Sequence, residues 1–395
     1  MDASSSGSGA FSASRLRGIT AAISAITAVG IGLSLSLPLL ALTLEARGIS
    51  GTWIGLNTAV AGISALLVTP LAPALAFRIG TARATYYSVA LAALALIGFY
   101  YATAFWMWFP LRFLFHGAVT VAFILSEYWI NALAPDSRRG LVMGIYATVL
   151  SIGFAAGPLL FTLTGTQGLV PFVSGAALLV AAAVPVLLAR NDEPPSHGEG
   201  GSLPLLTYLV GAPLGTLAGL VFGAVESGSL SLLPVFGVRI GLAPSEAALL
   251  VSAVALGNVV LQIPLGLAAD RFDRRWLLFL CAAIGAAGAL LMPTVSGNLW
   301  LLIAVLFIWG GFIAGLYTIG LTHLGARYRG KALAGANAAF VMMYSAGMLL
   351  GPSTMGAGLT LFGAQGLPFV AAAFFGVFAL FALLRISSRR ARKAA

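Results

Sequence analysis

Residues 18–43 read GITAAISAITAVGIGLSLSLPLLALT, a run without charged side chains that is long enough to cross a bilayer. A helix needs about 20 apolar residues to span the roughly 30 Å hydrocarbon core. Unlike the strands of a membrane barrel, the run does not alternate apolar and polar residues. The sequence therefore predicts an all-α membrane protein with twelve transmembrane helices, the others near 52–77, 84–104, 106–131, 140–164, 167–189, 205–237, 245–269, 275–295, 297–323, 331–361 and 365–386.

Composition and charge placement agree with this prediction. Hydrophobic residues make up 60% of the 395 positions and charged residues only 8%, against about 25% charged in ordinary soluble domains. When connections alternate from a cytoplasmic N-terminus, the cations fall on one side, except Arg47, Arg239 and the intramembrane Arg112. The cytoplasmic loops of membrane proteins carry an excess of Lys and Arg. This asymmetry predicts a bacterial inner-membrane protein with both termini cytoplasmic, in contact with membrane lipid. It explains the net charge of +10 without a nucleic-acid partner.

The two halves of the chain repeat each other's motifs. PALAFRIGTAR (73–83), after the second span, matches PLGLAADRFDRR (264–275), after the eighth, and SLSLPLL (34–40) echoes SLSLLPVF (229–236). Parallel repeats are typical of transporters whose site lies near the midplane between the repeats. We predict a disordered cytoplasmic N-terminus (1–17), two pseudo-symmetric six-helix bundles (18–189 and 205–386), a cytoplasmic linker (190–204) and a basic cytoplasmic tail (387–395).

These motifs resemble those of the major facilitator superfamily over essentially the whole chain. Residues 266–275, GLAADRFDRR, nearly complete the loop signature of that family, and Arg112 with Gly117 matches its fourth-span signature. The fifth-span motif associated with antiporters is matched at Gly144, Gly153, Gly157 and Pro158. It departs from the pattern at Phe161, which replaces its final glycine. RIGTARATYYS (78–88), SEYW (126–129) and GPS (351–353) look most like the YcaD-like bacterial group, a resemblance that implies no particular substrate.

The resemblance implies that the acid of the loop signature, Asp270 in the second half, docks on the start of a helix in the other half. A helix N-terminus stabilises a carboxylate by roughly 0.3–1 kcal/mol. In the first half, Phe77 replaces this acid, and Pro73 replaces the glycine four positions before it. We therefore expect a one-sided cytoplasmic latch, in which Asp270→Asn shifts the resting state towards inward-open. If cysteine accessibility is the same in this variant as in the wild type, the latch is excluded. The latch residues are Gly266, Asp270, Arg271, Arg274 and Arg275, and the expected docking point lies near Gly140.

Three charged side chains lie away from the ends of the predicted spans, namely Arg112, Glu127 and Glu226. A charge at the bilayer centre costs about 2.5–3.5 kcal/mol. Glu226 lies near mid-depth in the seventh span, where a carboxylate can exchange protons, attract a cation, or serve only packing or an ion pair. The resemblance links Arg112 to proton coupling. His116, one turn away, is a candidate proton relay or an interhelical hydrogen-bonding group. A further hypothesis pairs Arg112 with Glu226 across the halves.

Other residues receive structural predictions. Glu127 is expected to form a supporting ion pair with Arg78 or Arg83 rather than to meet substrate. Glycine pairs at 153/157 and 347/351 allow helices to approach closely, and a proline after each pair permits a bend. These predict a packing and gating motif made of Gly144, Gly153, Gly157, Pro158, Gly347, Gly351 and Pro352. Six polar side chains are left open between cavity lining and helix contacts: Asn57, Tyr146, Asn258, Gln262, Asn337 and Tyr344.

Competing classes are disfavoured by the motifs. GARYRGK (325–331) matches most of a phosphate-binding loop, but Ala332 follows it and no strand precedes it, so we expect no ATP. The scattered histidines and single Cys281 indicate no metal or other cofactor, and no catalytic set is evident. We expect a monomeric proton-coupled antiporter, driven by the proton gradient, that exports a small, neutral, zwitterionic or cationic organic solute. Proton symport or facilitated uptake remains an alternative, as does a membrane sensor or enzyme.

Overall fold

A computed structural model describes residues 13–133, 145–146, 148–150, 152–154, 157, 160–192, 205–328 and 330–394. Its regular elements are helices joined by short connections, and the described ranges contain no strand. The helices are α1 (Ala13–Ala46), α2 (Gly51–Val68), α3 (Ala72–Ile79), α4 (Thr81–Tyr101), α5 (Trp108–Leu133), α6 (Phe161–Thr164), α7 (Val170–Leu188), α8 (Leu205–Gly211), α9 (Pro213–Arg239), α10 (Pro244–Arg271), α11 (Arg274–Val295), α12 (Leu299–Arg327), α13 (Gly330–Leu361) and α14 (Gly366–Ala394).

Ten stretches of the described chain are helices long and apolar enough to cross a membrane. They coincide with the predicted spans one to four, six to ten and twelve, the second being α2 and α3 joined by a short turn. α13 is a further helix of 32 residues where the eleventh span is predicted. The predicted fifth span, 140–164, is described only in part, at residues 145–146, 148–150, 152–154, 157 and 160–164. The all-α membrane class is confirmed, and the predicted count of twelve is consistent with these helices.

Local capping explains where several helices begin. The side chain of Asp273 accepts a hydrogen bond from the backbone N–H of Arg275 at 2.9 Å, at the start of α11. Asn298 accepts one from the N–H of Leu301 at 3.1 Å, at the start of α12. Such caps satisfy N–H groups that have no partner within the helix. Gly80, with φ of 91°, turns the chain between α3 and α4 in a conformation that favours glycine.

The chain packs into two compact units. Unit 1 contains the described residues of Met1–Ser36, Leu67–Gly157 and Gly168–Glu199, with α4 packed on α5 and α7. Unit 2 contains those of Leu37–Leu66, Pro158–Gln167 and Gly200–Ala395, with α9 packed on α13 and α10 on α12. Residues 37–66, which belong to the first predicted half, thus pack within unit 2. The sequence halves 18–189 and 205–386 stay predictions.

Candidate functional site

Glu226 occupies the middle of α9, thirteen residues from either end. At 1.5 Å per residue, it lies about 20 Å from each end. From Val221 to Gly237 every residue of α9 is buried except Glu226. The surrounding stretch of helix is therefore enclosed by protein, and Glu226 is its one partly accessible residue.

Three aromatic side chains contact one another in a row that begins at this carboxylate. The hydroxyl of Tyr344, on α13, donates a hydrogen bond of 2.9 Å to Oε2 of Glu226. The Tyr344 ring stacks on Phe222 of α9, with centroids 5.5 Å apart, and the ring of Tyr317, on α12, lies 5.0 Å from Phe222. Phe222 is buried, whereas Tyr317 is 37% exposed. We call Phe222, Glu226, Tyr317 and Tyr344 the acid–aromatic cluster.

Glycines let α9 and α13 approach closely enough to form this cluster. A Cβ atom placed on Gly223 would overlap the backbone carbonyl of Tyr344. On α13, a Cβ atom on Gly347 or Gly351 would overlap backbone carbonyls of α9. Small residues at such positions allow the helix backbones to touch. The approach brings the Tyr344 hydroxyl within hydrogen-bonding distance of Glu226.

Arg112 and His116 lie one turn apart on α5 in unit 1, and both are buried. The guanidinium of Arg112 lies 5.8 Å from the centroid of the Phe99 ring, within the range of a cation–π contact. Nδ1 of His116 donates to the backbone carbonyl of Arg112 at 3.3 Å. Nε2 of His116 is buried, without a hydrogen-bond partner in the described part of the chain. Arg112 and Glu226 belong to different units, and their pairing stays a prediction.

The latch residues surround the connection between α10 and α11. Asp270 and Arg271 are exposed at the end of α10, and Arg274 and Arg275 begin α11. A Cβ on Gly266 would have Thr318 as its nearest contact, at 3.8 Å. In the first half, Phe77 is 73% exposed. The expected docking point, Gly140, lies outside the described residues, so the latch stays a prediction.

The fifth-span glycines contact α1 within unit 1. A Cβ on Gly153 would lie 3.2 Å from Cα of Gly30, and one on Gly157 would overlap Ser34. The hydroxyl of Ser34 also donates to the carbonyl of Gly153 at 2.9 Å. Gly144 and Pro158 lie outside the described residues. The gating roles of these glycines, and of the Gly347, Gly351 and Pro352 set on α13, stay predictions.

Glu127, Arg78 and Arg83 lie on α5, α3 and α4 respectively, and each is exposed. Their ion pairing stays a prediction. Among the polar residues left open by the sequence, Gln262 donates to Thr318 at 3.4 Å, and Tyr146 shares a hydrogen bond of 3.0 Å with Ser126. Tyr344, a third residue of this open set, donates its hydroxyl to Glu226.

A second polar cluster lies in unit 2, at the helix ends remote from the Arg-rich connection between α10 and α11. Arg239, at the end of α9, makes two hydrogen bonds with Glu45 of α1, at 2.7 and 3.0 Å. Arg239 also donates to the carbonyl of Leu359 on α13 at 2.6 Å. Nearby, the backbone N–H of Thr52 on α2 donates to Thr360 at 2.8 Å. These contacts join four helices at one end.

Sequence reasoning missed several of these residues. It assigned Arg239 only a role in topology, and it did not select Phe222 or Tyr317. A signal for Phe222 exists, because it precedes Glu226 by four residues and therefore shares its helix face. Tyr317 has no such signal, since it comes from a helix distant in sequence.

Ten helices of the described residues are long and apolar enough to cross a membrane, which defines a polytopic membrane protein. The family model of the Major Facilitator Superfamily matches residues 22–243 and 215–395. The chain therefore belongs to the major facilitator superfamily. This family and its fold are those of multi-pass membrane transporters and not of enzymes.

The relatives and solved structures agree with this family. The chain is 24% identical over 333 residues to the uncharacterised MFS-type transporter YfkF of Bacillus subtilis (strain 168), covering 82% of this chain and 84% of the relative. It is 25% identical to YcaD of Shigella flexneri serotype 5b (strain 8401), covering 70% and 72%. A crystal structure of a mutant of the nucleoside transporter NupG matches with a TM-score of 0.79 at 16% identity, covering 94% of this chain and 99% of that one. At that identity the structure supports the fold alone.

Proposed function

We propose that this chain is a secondary active transporter of the bacterial inner membrane that exports a small organic solute in exchange for protons. Glu226 carries the proposal, because it is the accessible acid at the middle of an otherwise buried stretch of α9. Ionisable residues at this depth usually face a substrate or ion pathway. As access alternates between the two sides, the carboxylate receives a proton from one side and releases it to the other.

Arg112 and His116 support a second contribution to coupling. With its Nδ1 proton directed at the Arg112 carbonyl, neutral His116 presents the lone pair of Nε2 as a proton acceptor. Burial makes charged His116 costly beside a cation, so protonation there requires a change in its surroundings. In the proposed cycle this change accompanies the conformational step.

The direction of transport is proposed from the fifth-span motif, which the superfamily resemblance associates with antiporters. In antiporters this motif is expected to pack tightly and so to prevent ion leak. The close approach of Gly153 to Gly30 supports such packing. Proton symport and facilitated uptake use the same acid, and a sensor would bind solute without flux. Flux measurements under an imposed pH gradient separate these alternatives.

The experiment uses the full chain in proteoliposomes and a panel of radiolabelled neutral, zwitterionic and cationic solutes, with nucleosides included. An acidic lumen should drive uptake of the substrate in exchange for protons. Glu226→Gln should abolish the dependence of this uptake on the pH gradient. Glu246→Gln is the matched control, because Glu246 caps α10 through the N–H of Ala243 and glutamine can accept the same bond. Solute flux indifferent to the gradient would overturn antiport, and binding without flux would favour the sensor.

A further inference from the structure

We propose that the acid–aromatic cluster is a binding site for organic cations, namely amines or onium ions attached to an apolar body. This inference rests on the proposed function in one respect, that Glu226 is also the proton-exchanging group. It adds the substrate class, for which neither the family nor the relatives provide an assignment.

The Glu226 carboxylate has no cationic partner among the described residues. The polar contact made by Glu226 is a hydrogen bond from the neutral phenol of Tyr344. Across the described residues, no Lys, Arg or His nitrogen lies within ion-pairing distance of this carboxylate. The titratable groups facing it from the packed helices are Tyr344 on α13 and, next to that ring, Tyr317 on α12. A carboxylate without a protein counter-ion is complementary to a cationic ligand.

The three aromatic rings of the cluster favour a cation as well. Aromatic faces carry negative charge density and attract cations within about 6 Å of the ring centroid. The rings of Phe222, Tyr317 and Tyr344 lie on three helix segments with neighbouring centroids 5.0 and 5.5 Å apart. Tyr317 keeps 37% of its surface accessible, and Glu226 and Tyr344 are partly accessible. A ligand can therefore reach the carboxylate and an aromatic face together.

Charge and rings together select a class of ligand. An anion of the same shape meets the Glu226 carboxylate with like charge, and a neutral ligand gains contact with the rings but no charge attraction. An organic cation gains from both. Because a proton and the cation compete for the same carboxylate, occupation by one favours release of the other. Cation affinity should consequently rise as the pH rises and Glu226 loses its proton.

The test uses purified full-length protein in nanodiscs and two probes of nearly equal shape, tetraphenylphosphonium and tetraphenylborate. Equilibrium dialysis with radiolabelled probe measures binding over a range of pH, and a pH indicator in weak buffer measures proton release. We expect tetraphenylphosphonium to bind more tightly as the pH rises, with proton release at pH values where Glu226 is protonated. Tetraphenylborate should bind weakly beyond its uptake by protein-free nanodiscs of the same lipid, and without this dependence.

Variants test the assignment to the cluster. Glu226→Gln should weaken tetraphenylphosphonium binding at least about tenfold and remove proton release, whereas Glu226→Asp should retain part of both. Tyr317→Leu should weaken cation binding severalfold without removing its pH dependence, because it removes a ring and leaves the acid. Glu246→Gln, remote from the cluster on α10, should bind as the wild type does. Size-exclusion profiles identify variants that fail to fold, and Tyr317→Leu then provides the independent test.

The outcomes separate this proposal from proton antiport. Tetraphenylphosphonium binding that survives Glu226→Gln in folded protein, or equal binding of both probes, would overturn the cation site. Cation binding that depends on Glu226 but releases no proton at any pH supports the site and contradicts proton exchange at this residue. Proton-coupled flux of a neutral solute, together with no cation binding, leaves antiport standing and rejects the substrate class.

Discussion

At the scale of single residues, the hydroxyl of Tyr344 holds the Glu226 carboxylate in one orientation. Tyr344→Phe keeps the ring stacked on Phe222 and removes only the hydrogen bond. A hydrogen bond to a charged group is worth roughly 1.5–3 kcal/mol, so we expect proton-driven flux to fall by about tenfold or more. Tyr208→Phe is the matched control, because the buried Tyr208 hydroxyl has no hydrogen-bond partner in the described part of the chain. Equal flux in both variants would contradict the orienting role.

Arg17 and Asp192 form an exposed ion pair between α1 and the residues after α7, with Nε and Oδ2 2.8 Å apart. The hydrogen bond and positive charge from Arg17 hold the pKa of Asp192 below its ordinary value. A depressed carboxyl pKa gives stability that is present above the unfolded pKa of about 3.9 and is lost as the pH falls through the folded pKa.

Arg17→Gln should therefore lower the thermal unfolding midpoint slightly at neutral pH, and this difference should disappear in acid. Thermal scans of purified wild type and variant at several pH values measure the difference. Arg190→Gln removes a neighbouring positive charge without removing the hydrogen bond, and it should change the midpoint less. A difference that persists in strong acid would show that the pair does not supply it.

At the scale of helices, the contact of α9 with α13 depends on glycine. A Cβ on Gly351 would overlap the backbone carbonyl of Ala224, so Gly351→Ala forces the two helices apart. Overpacking of this kind typically costs about 1–3 kcal/mol, and we expect a lower thermal unfolding midpoint. Gly376→Ala on α14 is the matched control, because a Cβ there meets no atom within 4 Å and alanine favours helix. A midpoint for Gly351→Ala as high as that of Gly376→Ala would disprove this packing argument.

At the scale of the whole molecule, the basic connections predict that both chain termini face the cytoplasm. In a Cys281→Ala background, which replaces a buried cysteine, single cysteines at Ser388 and Ala243 report on opposite sides. An impermeant maleimide should label Ala243→Cys in right-side-out vesicles and Ser388→Cys only in inverted vesicles. Labelling of both from the same side would refute the predicted topology.

The amino-acid sequence by itself determined the helical membrane class, the positions of most spans and the mid-depth location of Glu226. It could do so because crossing a bilayer depends on the length and polarity of one continuous segment. Only the tertiary structure placed Tyr344 and Tyr317 beside Glu226, and Arg239 against Glu45, since these partners come from helices far apart in sequence. Which helices meet depends on how closely their backbones can approach, and at α9 and α13 this is decided by glycines whose partners hydropathy does not reveal.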